Sequence, residues 1–296
     1  NAEYQTFKIL SSKLKKRKLL RKPPYAAVSI EYAKIGKQLR REDNSVTHIY
    51  AAFCFAAVAK CQEALSIKDK EASNFVKAGQ VLFENESDDV ELNIDWEDCV
   101  PEAIHCYQLA VKLYEEANRP YTACAVLAEL ASSLHTLQRF DAASQAYQAA
   151  AKKKGIVVDA IQMLCEAVDC ELLQHERQRA CSLMAQAVEL ASKMPDLQNS
   201  LPHDNSVSDL LPSFPIATAL LVECQITYLL LLVLLGKYDD ARAALAVLMA
   251  DAVSEGGALR VRLAIEAAAG GASSGAAAML EQLNAVVESS RVRDVT

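Results

Sequence analysis

A short pattern of small and bulky residues recurs five times along the chain. Each copy has an Ala, a bulky residue four positions later, and a small or aliphatic residue three positions after that. Such spacing places all three side chains on one face of an α-helix, where small residues let a second helix approach closely. The pattern therefore predicts closely packed helices. The copies are Ala72-x3-Val76-x2-Gly79, Ala103-x3-Tyr107-x2-Ala110, Ala143-x3-Tyr147-x2-Ala150, Ala180-x3-Met184-x2-Ala187 and Ala241-x3-Leu245-x2-Leu248.

The period of the pattern indicates a repeat architecture. The leading alanines are separated by 31, 40, 37 and 61 residues, and the longest step contains a segment of 21 residues rich in Pro, Asn and Ser, 195–215. The copies resemble the second helix of tetratricopeptide-type repeats, and segments 121–137 and Val157–Leu173 fit the preceding helices. We predict an all-α, tetratricopeptide-like helical-repeat superhelix (α-solenoid) that forms a single domain over residues 1–296. An Ala-rich bundle with accidental spacing is the alternative.

Three segments interrupt or end this pattern. Residues 195–215 hold too many helix breakers for a helix and predict a flexible loop. Residues 84–102 are acidic without a Lys or Arg and predict a long acidic connection around Trp96. A final helix over 276–287 is expected to cap the stack.

An apolar run at 217–235 raises the question of a membrane span. A spanning helix needs about 20 mostly apolar residues. Glu223, Gln225 and Thr227 interrupt this run and leave an apolar tail of 8 residues. We therefore expect a helix buried on most sides within the protein and no integral membrane segment.

No catalytic constellation stands out. The chain has no Gly-rich phosphate loop, no G-x-S-x-G and no H-E-x-x-H, and its five His stand at unrelated positions: His48, His105, His135, His175 and His203. We predict that the protein is not an enzyme and uses no cofactor.

The spacing of the cysteines indicates a role in core packing and not in metal binding. Cys54 and Cys61, like Cys99 and Cys106, are seven residues apart, whereas zinc ligands usually stand two to four residues apart. We expect buried thiols and no metal site. Nine single cysteines with no signal peptide ahead of them predict reduced thiols in a cytosolic or nuclear protein.

Charge is divided unevenly along the chain. Residues 1–41 hold 12 Lys or Arg against two Glu, a local net charge of +10, and the remaining 255 residues carry a net charge of −17. Residues 1–24 predict a basic N-terminal helix that Pro23 and Pro24 end. An apolar stripe along it is formed by Tyr4, Phe7, Leu10 and Leu14.

Four interpretations of this basic helix compete. It can be a nuclear-import or nucleic-acid patch, although the acidic body would repel phosphates, or a membrane-surface helix with a narrow apolar face. It can also be a solvated helix neutralised by the chain's own 84–102 segment. We favour docking against an acidic protein surface and expect no nucleic acid. The candidate contact residues are Lys13, Lys15, Lys16, Arg17, Lys18, Arg21 and Lys22.

Several segments resemble a known family, the 40-kDa huntingtin-associated proteins, also called factor VIII intron 22 proteins. The similar segments are Lys13-Leu14-Lys15-Lys16-Arg17, Leu20-Arg21-Lys22-Pro23, 35–40, 50–52, 57–65, and Val222-Glu223-Cys224 before the Leu-rich run 229–235. The resemblance is strong over 4–66 and looser over 100–192. The family's Pro-rich central segment is shorter here, and the last 60 residues match poorly.

The resemblance implies a function as well as a fold. Members of this family bind huntingtin, a very large protein of HEAT-type repeats, and are held between its N- and C-terminal repeat domains. The family is also linked to the GTPase Rab5 and early-endosome motility. We expect a non-catalytic scaffold located in the cytoplasm, with the nucleus and the early endosome as further sites. The alternative is a membrane-trafficking adaptor similar to the soluble NSF attachment proteins.

Overall fold

The chain forms helices throughout the part that a computed structural model describes, namely residues 2–15, 24–41, 45–92, 99–153, 157–193 and 214–253. Within these ranges there are eleven α-helices and no strand, which confirms the all-α prediction. The helices are α1 (Ala2–Lys15), α2 (Tyr25–Leu39), α3 (Ser45–Ala64), α4 (Lys68–Leu92), α5 (Val100–Glu116), α6 (Pro120–Thr136), α7 (Phe140–Ala151), α8 (Val157–Leu173), α9 (Arg177–Ser192), α10 (Phe214–Leu234) and α11 (Tyr238–Val253).

The helices separate into two compact units, residues 1–155 and residues 156–296. In the first unit each of α1 to α7 packs on its neighbour in sequence, and α4 also contacts α6. In the second unit α8, α9, α10 and α11 pack in the same sequential way. Sequential packing is what a stack of helix hairpins requires. The superhelical arrangement and the single domain over 1–296 stay predictions.

Five described turns that end helices share one backbone geometry. In each, a residue with positive φ donates its N–H to the carbonyl three residues back, and the next residue donates to the carbonyl five back, as with Asn118 to Glu115 and Arg119 to Tyr114, both 2.9 Å. This hydrogen-bond pattern satisfies the last carbonyls of the helix and reverses the chain within three residues. The positive-φ residues are Ser66, Asn118, Gln138, His175 and Gly236.

The small residues of the recurring pattern lie in the core. All five leading alanines are buried, and the copies led by Ala103, Ala143 and Ala180 are buried at all three positions. In the other two copies the middle residues, Val76 and Leu245, are only half-buried. The pattern thus marks the face of each helix that packs against its neighbours, as the spacing predicted.

The apolar helix α10 is buried on most sides, as predicted. Val222, Ile226, Leu229 and Leu232 are all buried, and α10 packs on α9 and α11. Among the described helices, none combines the length and apolar character needed to cross a membrane.

The acidic connection is shorter than predicted. Because α4 continues to Leu92 and α5 begins at Val100, the prediction of a connection over 84–102 is wrong for residues 84–92 and 100–102. No Gly or Pro occurs between 84 and 92 to end α4, and Pro101 falls in the first turn of α5, where its missing N–H costs nothing.

The predicted loop 195–215 also ends earlier than expected. Helix α10 begins at Phe214, so the prediction is wrong for residues 214 and 215; Pro215 sits in the first turn, where Pro is tolerated. Residues 195–213 and the predicted helix 276–287 lie outside the described residues.

Candidate partner-binding surface

Helix α1 carries the start of the basic region and packs on α2. The rings of Phe7 and Tyr32 meet edge to face with centroids 5.4 Å apart, and Leu10 is 1% exposed. This confirms that Phe7 and Leu10 share an apolar face. Because α2 covers that part of the face, it is not free to enter a lipid surface.

The seven predicted contact residues fall at and beyond the end of α1. Lys13 and Lys15 belong to its last turn. Lys16, Arg17, Lys18, Arg21 and Lys22 lie outside the described residues. Their role in binding stays a prediction.

The basic segment, residues 16–23, is joined to one end of α2, and Glu84 of α4 lies near the other end. Residue 24 precedes the first turn of α2, and Arg40 follows its last turn. Those two ends are about 22 Å apart at 1.5 Å per residue. Arg40 forms a bidentate ion pair with Glu84, with one hydrogen bond from Nε to Oε2 of 2.9 Å. The segment 16–23 therefore joins α2 at the end away from Glu84.

A polar groove of about 390 Å³ crosses α2, α4 and α6 in the first unit. These are alternate helices of the sequence, and of them α4 and α6 contact each other. The groove presents carboxylates, hydroxyls and an amide, together with one guanidinium already paired to Glu84. Its lining residues are Arg40, Gln80, Phe83, Glu84, Glu129, Ser133 and Thr136.

Glu129 is the centre of a hydrogen-bond network in this groove. Its Oε1 accepts hydrogen bonds from the Tyr107 hydroxyl at 2.8 Å and from Gln80 Nε2 at 2.6 Å. Burial, followed by the hydrogen bond to Glu129, raises the pKa of Tyr107 well above its usual value. The phenol therefore stays protonated and acts as a donor. The network holds α4, α5 and α6 in register.

An apolar groove of about 260 Å³ lies on α3, α4 and α5. Phe53 stands at its edge with 52% of its surface exposed, and Glu102 supplies one carboxylate. An exposed aromatic ring beside an apolar depression is typical of a protein-binding surface. The remaining lining residues are Ala52, Ala56, Ala78, Leu82, Pro101, His105 and Cys106.

A third pocket, of about 500 Å³, carries mixed charges near the α3–α4 and α5–α6 turns. Lys68 Nζ lies 2.9 Å from Glu116, and Arg119 lies 3.0 Å from Asp69. Burial, reinforced by nearby carboxylates, raises the pKa of Glu71. The lining of the pocket holds three Lys and three Glu, so it has no excess of one sign to attract a charged ligand.

Nothing in the described part of the chain assembles a metal site: it contains no group of three or more His, Cys, Asp or Glu side chains placed to hold an ion. All nine cysteines are free thiols. The prediction of buried thiols is confirmed for Cys54 and Cys61, whereas Cys99 and Cys106 are half-buried. Burial raises the pKa of Cys54 to about 12 and that of Cys106 to about 11.

Neither the polar nor the apolar groove was predicted from the sequence. Gln80 and Glu129 are 49 residues apart, and Phe53 and His105 stand on helices separated by α4. Helical spacing reports which residues share one helix, but it does not report which positions of two alternate helices meet. The sequence offers no signal for Phe53, because α3 is apolar along most of its length and exposure cannot be read from it.

The fold and these surfaces define an all-α protein of sequentially packed helices with exposed grooves. Its sequence is similar to two known proteins. It is 29% identical over 208 residues to the 40-kDa huntingtin-associated protein of Rattus norvegicus, which covers 66% of this chain and 54% of that protein. It is 30% identical over 190 residues to the protein of the same name from Mus musculus, which covers 62% of this chain and 49% of that one.

These similarities confirm the resemblance seen in the sequence. The chain spans about half the length of the curated relatives that it matches. No protein-family model matches it.

Proposed function

We propose that this protein is a non-catalytic binding protein that forms a stable complex with huntingtin, held between the HEAT-repeat domains of that partner. The observation that carries the proposal is the similarity to the rat and mouse 40-kDa huntingtin-associated proteins over more than 60% of the chain. A helical-repeat shape suits this role, because stacked hairpins offer long surfaces to a large partner.

The apolar groove supports the proposal because it offers surface that a partner can bury. Phe53 is half exposed, and the alanines beside it let a partner side chain approach the backbone closely. Aromatic residues at the centre of an interface commonly carry much of the binding energy.

The basic segment is proposed to steer the partner into place. Its attachment to α2 lies about 22 Å from Arg40, which already pairs with Glu84. Glu84 is thus paired at the far end of α2, which favours an acidic partner surface over the chain's own 84–102 segment as the contact of Lys13–Lys22. Such charges act mainly on the association rate.

The test measures association of the purified chain with purified full-length huntingtin on a biosensor. Reversing Lys13, Lys15, Lys16 and Arg17 to Glu should lower the association rate at least about tenfold at low salt. The rate of the unchanged protein should fall as salt rises, whereas that of the variant should change little.

A matched control reverses four exposed lysines on α3 to α5, Lys60, Lys70, Lys77 and Lys112, and so changes the net charge equally. Its association rate should stay much closer to that of the unchanged protein. An equal fall in the association rate of both variants would mean that the overall charge causes the effect and that the basic segment does not contact the partner.

The apolar groove is tested with Phe53→Ser, compared with Tyr121→Ser at another exposed aromatic. We expect Phe53→Ser to raise the dissociation rate about tenfold or more, since truncating an interface anchor costs about 2 kcal/mol. Tyr121→Ser should leave it unchanged. Dissociation rates that are the same for Phe53→Ser and the unchanged protein would place the groove outside the interface.

Association with Rab5, a place in early-endosome motility, and location in the cytoplasm and nucleus belong to the same proposal. Flotation of the purified chain with liposomes addresses the alternative, an adaptor similar to the soluble NSF attachment proteins. Flotation without huntingtin binding would favour that alternative. Capture of full-length huntingtin without flotation supports the proposal.

A further inference from the structure

Two cysteines of the second unit face each other across two helices. Cys165 lies in the middle of α8 and Cys224 in the middle of α10, 59 residues apart in sequence. Their Sγ atoms are 3.9 Å apart and share an S–H···S hydrogen bond. Forming a disulfide requires the two atoms to approach to about 2.05 Å. The two sulfur atoms must therefore approach each other by roughly 1.9 Å for the bond to form.

The two thiols differ in their surroundings. Cys224 is 1% exposed, whereas Cys165 is half-buried and keeps part of its surface exposed. The hydrogen bond with Cys224 lowers the pKa of Cys165, against the opposing effects of burial and of Asp169, Glu223 and Glu166. The same hydrogen bond and burial raise the pKa of Cys224. Cys165 is thus the better nucleophile and Cys224 the protonated neighbour.

We infer that Cys165 and Cys224 form a redox-modifiable dithiol site that a peroxide converts to a disulfide, a property beyond the proposed binding function. The Cys165 thiolate attacks one peroxide oxygen, the O–O bond breaks, and Cys165 sulfenic acid forms as hydroxide leaves; the hydroxide takes up the proton that the Cys165 thiol had released and becomes water. The Cys224 sulfur then attacks the Cys165 sulfur, the S–O bond breaks and a second water leaves. In total, two thiols and one hydrogen peroxide give one disulfide and two waters.

This bond would join two helix hairpins of the second unit. Cys165 belongs to the α8–α9 hairpin and Cys224 to the α10–α11 hairpin, and α9 packs on both α8 and α10. The crosslink closes a long loop of chain, which restricts the unfolded state strongly. Oxidation should therefore raise the melting temperature by about 5 °C or more.

The experiment treats the reduced, full chain with a few equivalents of hydrogen peroxide and digests it with trypsin without reduction. Cleavage after Lys154, Arg177, Lys193 and Lys237 yields one peptide with Cys165 and Cys170 and another with Cys224. We expect a crosslinked pair of these peptides, lighter than their sum by two hydrogens and lost on treatment with dithiothreitol. The melting temperature should rise when the crosslink forms and fall again when dithiothreitol removes it.

Cys170→Ala is the matched control, because Cys170 is a buried thiol on the same helix and the same peptide as Cys165. The crosslink should persist in Cys170→Ala and vanish in Cys165→Ser and Cys224→Ser. Persistence of the crosslink in Cys165→Ser would overturn the inference.

Phenylarsine oxide provides a test that needs no variant, since one arsenic binds two neighbouring thiols. We expect it to protect Cys165 and Cys224 together from alkylation in the folded, reduced protein. Oxidation of Cys165 to sulfinic acid with Cys224 left as a free thiol, or independent alkylation of the two thiols, would also overturn the inference.

Discussion

Gly79 on α4 lies directly against the ring of Tyr107 on α5. A Cβ at Gly79 would stand 2.6 Å from Cδ2 and Cε2 of that ring and 3.3 Å from the Ala103 carbonyl oxygen. Both residues belong to copies of the recurring small-and-bulky pattern. The absent side chain of one copy thus makes room for the bulky residue of the next, which brings two adjacent helices together.

Gly79→Ala should therefore destabilise the protein. Helix propensity alone favours Ala over Gly by about 1 kcal/mol, but forcing an extra methyl group into a packed core typically costs about 1–3 kcal/mol, and the 2.6 Å approach to the Tyr107 ring favours the upper part of that range. We expect a lower free energy of unfolding in urea denaturation. In a Tyr107→Leu background the same substitution should be neutral or stabilising, and an equal loss in both backgrounds would rule out the proposed clash.

Gln138→Gly should stabilise the α6–α7 turn. Gln138 adopts φ of 57°, a left-handed conformation that costs a residue with a side chain about 1–2 kcal/mol. Removing this strain stabilises the folded state, but the larger conformational entropy of Gly in the unfolded chain offsets part of the effect. We expect the free energy of unfolding, measured in urea, to rise by about 0.5–1 kcal/mol. Arg139→Gly, at an adjacent position with φ of −86°, should instead be destabilising. Stabilisation at both positions would mean that turn strain is not the cause.

Tyr107→Phe should lower the free energy of unfolding by about 1–2 kcal/mol. The substitution keeps the buried ring and removes the hydroxyl that donates to Glu129 at 2.8 Å, and a typical hydrogen bond contributes about 1 kcal/mol, with more when the acceptor is charged. The loss should shrink in a Glu129→Gln background, measured as a double-mutant cycle by thermal and urea denaturation. An unchanged loss there would show that the hydroxyl does not act through Glu129.

Two carboxylates beside Lys68 should respond to pH with opposite signs. Burial, with Glu63 and Glu116 adding to it, raises the pKa of Glu71 above 4.5, so its ionised form weakens the fold at neutral pH. Glu71→Gln should therefore stabilise the protein near pH 7. The gain should diminish as the pH falls through the raised pKa and disappear below about 4.5.

Glu116 supplies the contrast, because its hydrogen bond with Lys68 lowers its pKa. Glu116→Gln should reduce stability at neutral pH, and that loss should disappear as the pH falls below 4.5 through the lowered pKa. Melting temperatures from pH 3 to 8 measure both effects. The same pH trend in both variants would contradict the assignment.

Local features of the structure were largely readable from the sequence. The recurring pattern located the buried faces of α5, α7 and α9, and α8 spans Val157–Leu173 as predicted. The prediction of a connection over 84–92 is wrong, because a run of acidic residues does not by itself end a helix and no Gly or Pro stands between Glu84 and Asn93. Four of the five positive-φ turn residues are not Gly, so those turns carried no strong signal.

The sequence by itself determined the helical class, the packing faces and the division into a basic start and an acidic remainder, because these depend on residues close together in the chain. Only the tertiary structure decided that Glu129 joins Tyr107 and Gln80, that Phe53 borders an apolar groove, and that Cys165 meets Cys224. These contacts depend on how each helix is rotated and shifted along its neighbour. The shapes of all the side chains in the interface together determine that rotation and shift.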